Sequence, residues 1–300
     1  MAWIELDGAV NVRDVGGLAA EDGRVTASGR LLRGDNLQDL SPADVQELVD
    51  GIGVTTVIDL RSPYEVKAEG PGPLRRVASV RYAHHSVLPE RGTATDAATD
   101  SDGKGEPTAD TDRRPGPAAG LAADAVAGED GADPGTVFDA SDALAIRRRD
   151  GALARYPDDV RVGYYIGYLE DRPDQVVAAL RSIAQSPGAA LVHCAAGKDR
   201  TGVVVALALT AAGVGRDAVI ADYAATGERM AAVLDRLRST PTYASDTNSR
   251  PDEEHMPRAE TMAWFLDEIS ASYGGVLAWL DQHGFGPADV AALRAKLLDT

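Results

Sequence analysis

One stretch constrains this chain more than any other: Ala189-Ala190-Leu191-Val192-His193-Cys194-Ala195-Ala196-Gly197-Lys198-Asp199-Arg200-Thr201-Gly202. It opens on a short apolar run of strand character. A longer apolar run, Val203-Val204-Val205-Ala206-Leu207-Ala208-Leu209, follows it and predicts a buried helix. Strand, short loop and helix in that order aim the loop's backbone N–H groups and the helix N-terminus at one point. Such a point favours an anion, because unpaired N–H groups and the helix dipole both present positive charge there. The loop starts at Cys194, the only cysteine among 300 residues. In that setting a cysteine is held as thiolate, the form that attacks. Arg200, six residues on, supplies a planar fork suited to a phosphate.

Other uses of such a turn fail on residues. A nucleotide-binding Walker loop needs a first glycine where Val192 stands, and a Ser or Thr for magnesium where Asp199 stands. A thioredoxin-type or redox role needs a second cysteine, and a single cysteine allows neither an intramolecular disulfide nor a multi-cysteine metal site. Two rivals stay open: a phosphoprotein- or phospholipid-binding module that has lost catalysis, and a rhodanese-like sulfurtransferase. The intact Cys194 and Arg200 argue against the first, and the acceptor chemistry of the second does not need the Arg200-Thr201-Gly202 continuation into a helix. No cofactor and no metal are expected.

The net charge of −17, with pI near 4.6, argues against nucleic acid as a partner, since no basic stripe offsets phosphate repulsion. A phosphorylated substrate needs only local positive charge. The first residues have neither a basic n-region nor an apolar h-region, and the apolar run near 203–214 is too short to span a bilayer. The expectation is a cytoplasmic protein with no integral membrane association; oligomeric state is not legible.

Along the chain, short strands and turns are expected around Val25 and Leu31-Leu32. Ser41-Pro42-Ala43-Asp44 starts a helix. The β-branched run Val54-Thr55-Thr56-Val57-Ile58 predicts a buried strand ending at Asp59, and 77–87 predicts another. Residues 93–135 hold ten acidic residues against three basic ones, with Leu121 and Val126 as their only large aliphatics. They cannot bury enough apolar surface to offset ordering entropy, and read as a disordered acidic insertion. Residues 137–168 read as helical, as a lid over the site or as simple packing. Helices are expected at 173–183, 216–226, 227–238 and 257–273, and a last one to 298. Alternating strands and helices predict one α/β domain over 1–300, a mostly parallel central sheet flanked by helices.

The residues His193 to Gly202 resemble the phosphatase loop of the bacterial tyrosine phosphatase-like enzymes that act on phosphoproteins and phosphoinositides. Asn11-Val12-Arg13-Asp14-Val15-Gly16-Gly17-Leu18, Arg30-Leu31-Leu32-Arg33-Gly34-Asp35, Asp59-Leu60-Arg61-Ser62 and the segments 262–266 and 273–276 also resemble that family. The resemblance implies the cysteine-based tyrosine phosphatase fold, and phosphotyrosine proteins or phosphoinositides as substrates. On chemistry, Cys194 would attack phosphorus and form a phosphocysteine intermediate. Arg200 and the amides of Ala195, Ala196, Gly197, Lys198 and Thr201 would hold the equatorial oxygens. The Thr201 hydroxyl could serve the leaving sulfur, and His193 orients the loop. Many tyrosine phosphatases bring their general acid on a Trp-Pro-Asp loop, which is missing here; Pro157-Asp158 lacks the Trp. The resemblance implies Asp199 as the acid instead, and Lys198 as the residue that goes with phosphoinositide tolerance. Asp59, at a strand's C-terminal end, is the second candidate, because such ends meet at the ligand crevice. Arg13-Asp14 and Arg33-Asp35 read as scaffold ion pairs, Tyr164, Tyr165 and Tyr168 as packing residues, and His255 and His283 as surface residues.

Overall fold

A computed structural model describes residues 2–88 and 155–299. The expected insertion at 93–135 and residues 137–154 of the expected lid lie outside the described residues. Six strands form one mixed sheet in the order β1-β2-β3-β6-β4-β5. These are β1 (Ala2–Trp3), β2 (Arg13–Asp14), β3 (Leu31–Gly34), β4 (Val54–Asp59), β5 (Arg81–His84) and β6 (Ala189–His193). The parallel expectation holds for β3, β6, β4 and β5, while β1 and β2 add an antiparallel margin.

The strand before Cys194 lies between β3 and β4, and all five of its residues are buried. Its side chains alternate between two cores, as the pleat requires. Ala190 and Val192 join the larger core with Ile58 and Leu31; Ala189 and Leu191 join a smaller core with Val57, Leu32, Leu48 and Leu74. Register sets His193 beside Gly34 on β3 and Asp59 on β4. Cys194 therefore leaves the sheet at the common C-terminal end of its parallel strands, where such sheets bind ligands.

The smaller core is closed by α1 (Pro42–Gln46), which runs on as a π turn at Glu47–Gly51, and by a 3₁₀ turn at Pro73–Arg76, while α2 (Pro63–Glu69) packs against the helix at Pro241–Asn248. Ser41 with Asp44, and Ser62 with Glu65, form reciprocal capping boxes at the starts of α1 and α2. The larger core is covered by α3 (Val160–Asp171), α4 (Pro173–Ala184), α5 (Asp199–Ala212) and α6 (Arg216–Ala225), and again by α10 (Ala259–Tyr273), α11 (Val276–Gln282) and α12 (Pro287–Leu297), while α7 (Met230–Arg238) and α8 (Pro241–Asn248) build a third, small core against Ala195, with α9 (Asp252–His255) beside α7. Helix α5 is apolar almost all round because sheet and helices enclose it. Gly213, with φ +90, ends it in the left-handed conformation that glycine adopts without a Cβ penalty.

Two expectations change. The strand expected at 77–87 is only Arg81–His84, because β5 pairs with β4 alone and β4 ends at Asp59 opposite His84. Ser86, Val87 and Leu88 then turn into the interior. The stretch between α7 and α10, left unassigned by pattern, forms α8 and α9, with Pro241 in the first turn of one and Pro251 preceding the other. Among the described residues no helix is long and apolar enough to cross a membrane.

Candidate active site

The loop Cys194–Lys198 is held from outside by the N-terminal segment. The Asn36 amide donates to the Ala195 carbonyl at 3.0 Å, Asn11 Nδ2 to Ala196 at 2.8 Å and Arg33 Nη2 to Gly197 at 2.9 Å. In a trans peptide the carbonyl and the next N–H point opposite ways. Pinning these three carbonyls outward leaves the N–H groups of Ala196, Gly197 and Lys198 directed to the other side, as an anion cradle requires. Gly197 has φ +68, and a Cβ there would fall 2.6 Å from the Gly34 carbonyl oxygen and 2.8 Å from Asn11 Nδ2. Only glycine fits this turn.

The expected pairs Arg13-Asp14 and Arg33-Asp35 do not form. Asp14 instead accepts from the Gly16 and Gly29 amides, and Asp35 accepts from Val10 and Asn11 and pairs with Arg236. Both arginines reach Asp222 on α6: Arg13 Nε at 3.1 Å and Arg33 Nη1 at 2.5 Å, with all three side chains buried. Arg13 also donates to Asn11 Oδ1. Burial, with Arg33 beside it, pulls the Arg13 guanidinium down to about 10. Burial alone would raise the Asp222 carboxyl, but Arg33 and Arg13 outweigh it and hold it below the usual carboxylate range. Asp222→Asn is expected to cost about 3–5 kcal/mol in urea unfolding, because two buried guanidinium groups lose their countercharge; a cost under about 1 kcal/mol would contradict that role.

Arg200, on the first turn of α5, makes a two-pronged pair with Glu65: Nη1 to Oε2 at 2.6 Å and Nη2 to Oε1 at 2.8 Å. Glu65 is fully buried. Its carboxylate also accepts from the Ser62 amide at 2.7 Å and from the Tyr243 hydroxyl at 3.1 Å. Burial works against the Arg200 charge, yet Glu65 and Cys194 raise the guanidinium well above its ordinary value. The fork thus lies fixed and charged at the cysteine loop. Sequence reading missed Glu65; its signal is the Ser62-Pro63-Tyr64-Glu65 capping box.

Asp59 lies outside the cleft lining. It is fully buried, held by Arg61 at 2.7–3.1 Å, in a short hydrogen bond from the Tyr82 hydroxyl, and 3.6 Å from His193 Nε2. Burial would raise its carboxyl, but His193 and Arg61 hold it well below the usual range. His193 is itself buried and its imidazole is pushed down to about 4, chiefly by burial. Thr201 Oγ1 is buried with no hydrogen-bond partner among the described residues.

Asp199 opens α5, and a third of its side chain is exposed. Its Oδ1 accepts from the Tyr165 hydroxyl at 2.6 Å, and its Oδ2 lies 3.5 Å from Lys198 Nζ. Lys198 Nζ donates to the His255 carbonyl at 2.8 Å, which ties the loop to α9. His255, read as a surface residue, is nearly buried and lines the cleft, because α9 folds over this edge. A cleft of about 530 Å³ opens at the loop. Cys194, Ala195, Ala196, Lys198, Asp199 and Arg200 line it; Gly197, Thr201, His193 and Asp59 are buried outside that lining. The described part of the expected lid, residues 155–168, takes in most of α3. It packs in the larger core while Arg161, Tyr164 and Tyr168 line the cleft.

Comparison with known proteins agrees with this geometry. The chain matches the model of the tyrosine phosphatase family over residues 4–299. The triple specificity protein phosphatase PtpB of Mycobacterium tuberculosis is 32% identical over 309 aligned positions, covering 99% of this chain and 100% of that protein. A putative tyrosine-protein phosphatase of Cupriavidus necator is 29% identical over 98% of this chain and 88% of its own length. A tyrosine-protein phosphatase of Nostoc commune is 28% identical over 48% of this chain and 51% of its own. A cysteine loop between the central strand and an enclosed helix, with the family matched over nearly the whole length, places the chain in the tyrosine phosphatase family, and it is a protein-tyrosine phosphatase.

Proposed function

We propose that the protein hydrolyses phosphate monoesters in two steps through Cys194, with phosphotyrosine as the main substrate and phosphoserine, phosphothreonine and phosphoinositides also accepted. The observation that carries this reading is the buried Glu65–Arg200 fork beside a cysteine loop whose carbonyls are pinned outward. In the first step the Cys194 sulfur bonds to phosphorus, the bond to the leaving oxygen breaks, and Asp199 gives that oxygen its proton. In the second, Asp199 takes a proton from the water that attacks phosphorus, and the thiolate leaves. Arg200 and the loop amides hold the three equatorial oxygens as charge spreads over them. The unpartnered Thr201 hydroxyl is available to the leaving sulfur. The breadth of substrate rests on the likeness to a relative named for triple specificity, and on Lys198 at the cleft.

Asp199 is assigned as acid over Asp59 because it lines the cleft and is partly exposed, whereas Asp59 is fully engaged by Arg61 and Tyr82. Asp59 is a positioning residue, tying the end of β4 to His193. Asp199→Asn is expected to lower kcat/KM for a poor leaving group by about 10²-fold or more, and far less for a good one. Asp59→Asn is expected to destabilise the fold and to leave the leaving-group dependence alone. A series of aryl phosphates measures both, and the reverse pattern would hand the acid role to Asp59.

A further inference from the structure

We infer that Tyr165, backed by Tyr223, is the positioning residue that sets which oxygen of Asp199 carries the transferable proton. The inference rests on the reading of Asp199 as general acid. Three helices bring these groups together: Tyr165 from α3, Asp199 from α5 and Tyr223 from α6. The Tyr165 hydroxyl lies 2.6 Å from Asp199 Oδ1 and 2.7 Å from the Tyr223 hydroxyl. A phenol has one proton to donate, and a carboxylate can only accept. While Asp199 is ionised, Tyr165 must therefore donate to it and accept from Tyr223, which fixes the direction of the chain before the acid takes up its proton.

The rings cannot swing away. Tyr165 is fully buried, edge-on to Phe265 at 5.7 Å and to Tyr223 at 6.2 Å between centroids, and near-parallel to Tyr168 at 6.1 Å. Gly202 makes room for this arrangement, since a Cβ there would fall 2.8 Å from the Tyr223 ring. Burial first, and then the Asp199 charge, push the Tyr165 phenol well above the ordinary range, so it remains a donor at every working pH. With Oδ1 occupied as an acceptor, the proton that protonates Asp199 sits on Oδ2. That oxygen belongs to a side chain lining the cleft and has Lys198 Nζ 3.5 Å away. Loss of the Tyr165 hydroxyl frees the carboxyl to rotate and to hold its proton on either oxygen. Only the orientation of the acid is lost, while the phosphate clamp stays whole.

The test is a double-mutant cycle with two substrates, phenyl phosphate (poor leaving group) and a dinitrophenyl phosphate (good one), with vanadate inhibition as a readout of the loop. Tyr165→Phe is expected to lower kcat/KM for phenyl phosphate about tenfold and for the dinitrophenyl ester less than about twofold, with vanadate inhibition unchanged. In an Asp199→Asn background the same change is expected to do nothing more. An equal loss on both substrates, weakened vanadate inhibition, or additivity with Asp199→Asn would overturn the inference while leaving Asp199 as acid. If Asp199→Asn itself shows no leaving-group dependence, the acid reading falls first and takes this inference with it. Tyr223→Phe, which removes only the donor to Tyr165, is expected to repeat the pattern more weakly, and it decides the matter should Tyr165→Phe not fold.

Discussion

Cys194→Ser is expected to abolish turnover, lowering kcat/KM by about 10⁴-fold or more while the folded protein still binds phosphorylated ligand. The reason is the identity of the attacking atom. Sulfur is the stronger nucleophile, and Cys194 lies with the loop amides, the start of α5 and the Arg200 guanidinium at the end of β6. A serine hydroxyl in the same place stays protonated and is a far weaker nucleophile. Binding should survive, because the proposed mechanism has phosphate held by Arg200 and the backbone of 195–201. Aryl phosphate turnover with a parallel equilibrium binding measurement checks both halves. Turnover that survives the substitution would remove Cys194 from the chemistry. A wild-type protein that binds and never turns over would instead be the silent binding module.

The second large effect is expected at Arg200. Arg200→Met removes two donors from the phosphate and should lower kcat/KM by about 10³-fold. It also strands the Glu65 carboxylate, which is fully buried and gives both oxygens to Arg200. Breaking a buried pair on one side costs about 3–5 kcal/mol, because the remaining charge is left uncompensated. Chemical unfolding of Arg200→Met should show a loss of that size. Adding Glu65→Gln removes the stranded charge while keeping an acceptor for the Ser62 amide and the Tyr243 hydroxyl. The double variant should recover much of the stability and none of the activity. Recovery of activity would mean that Arg200 acts through the fold and not on phosphate; an unchanged stability in the single variant would mean that the pair is weaker than its geometry implies.

The part of the site that is local in sequence was legible. The order of apolar strand, Cys194 loop and apolar helix needs no distant partner, and it brings Cys194, Asp199 and Arg200 to one cleft within seven residues. The groups that support the loop from a distance were not legible. Asp222 gathers Arg13 and Arg33, though it lies about 200 residues from the first of them, and nothing in the spacing of the acids on α6 foretells two buried arginines. The same holds for Tyr165 and Tyr223: aromatic residues at helical spacing read as packing, and they are packed, yet one hydroxyl also reaches Asp199. Glu65 carried a local signal, since its capping box with Ser62 marks it as ordered, but its pairing with Arg200 exists only once β4 and β6 are neighbours. Short α8 and α9 lack the length for a periodic pattern, so the cleft wall that they form could be seen only in three dimensions.

The measurement that bears most directly on the account is a rapid denaturing quench of the enzyme mixed with a ³²P-labelled phosphotyrosyl peptide, followed by mapping of the labelled fragment. The expected result is a burst of near-stoichiometric label on the fragment that contains Cys194, absent from Cys194→Ser and prolonged in Asp199→Asn. Product released in the first turnover with no label on that fragment, or label carried by another residue, would contradict it.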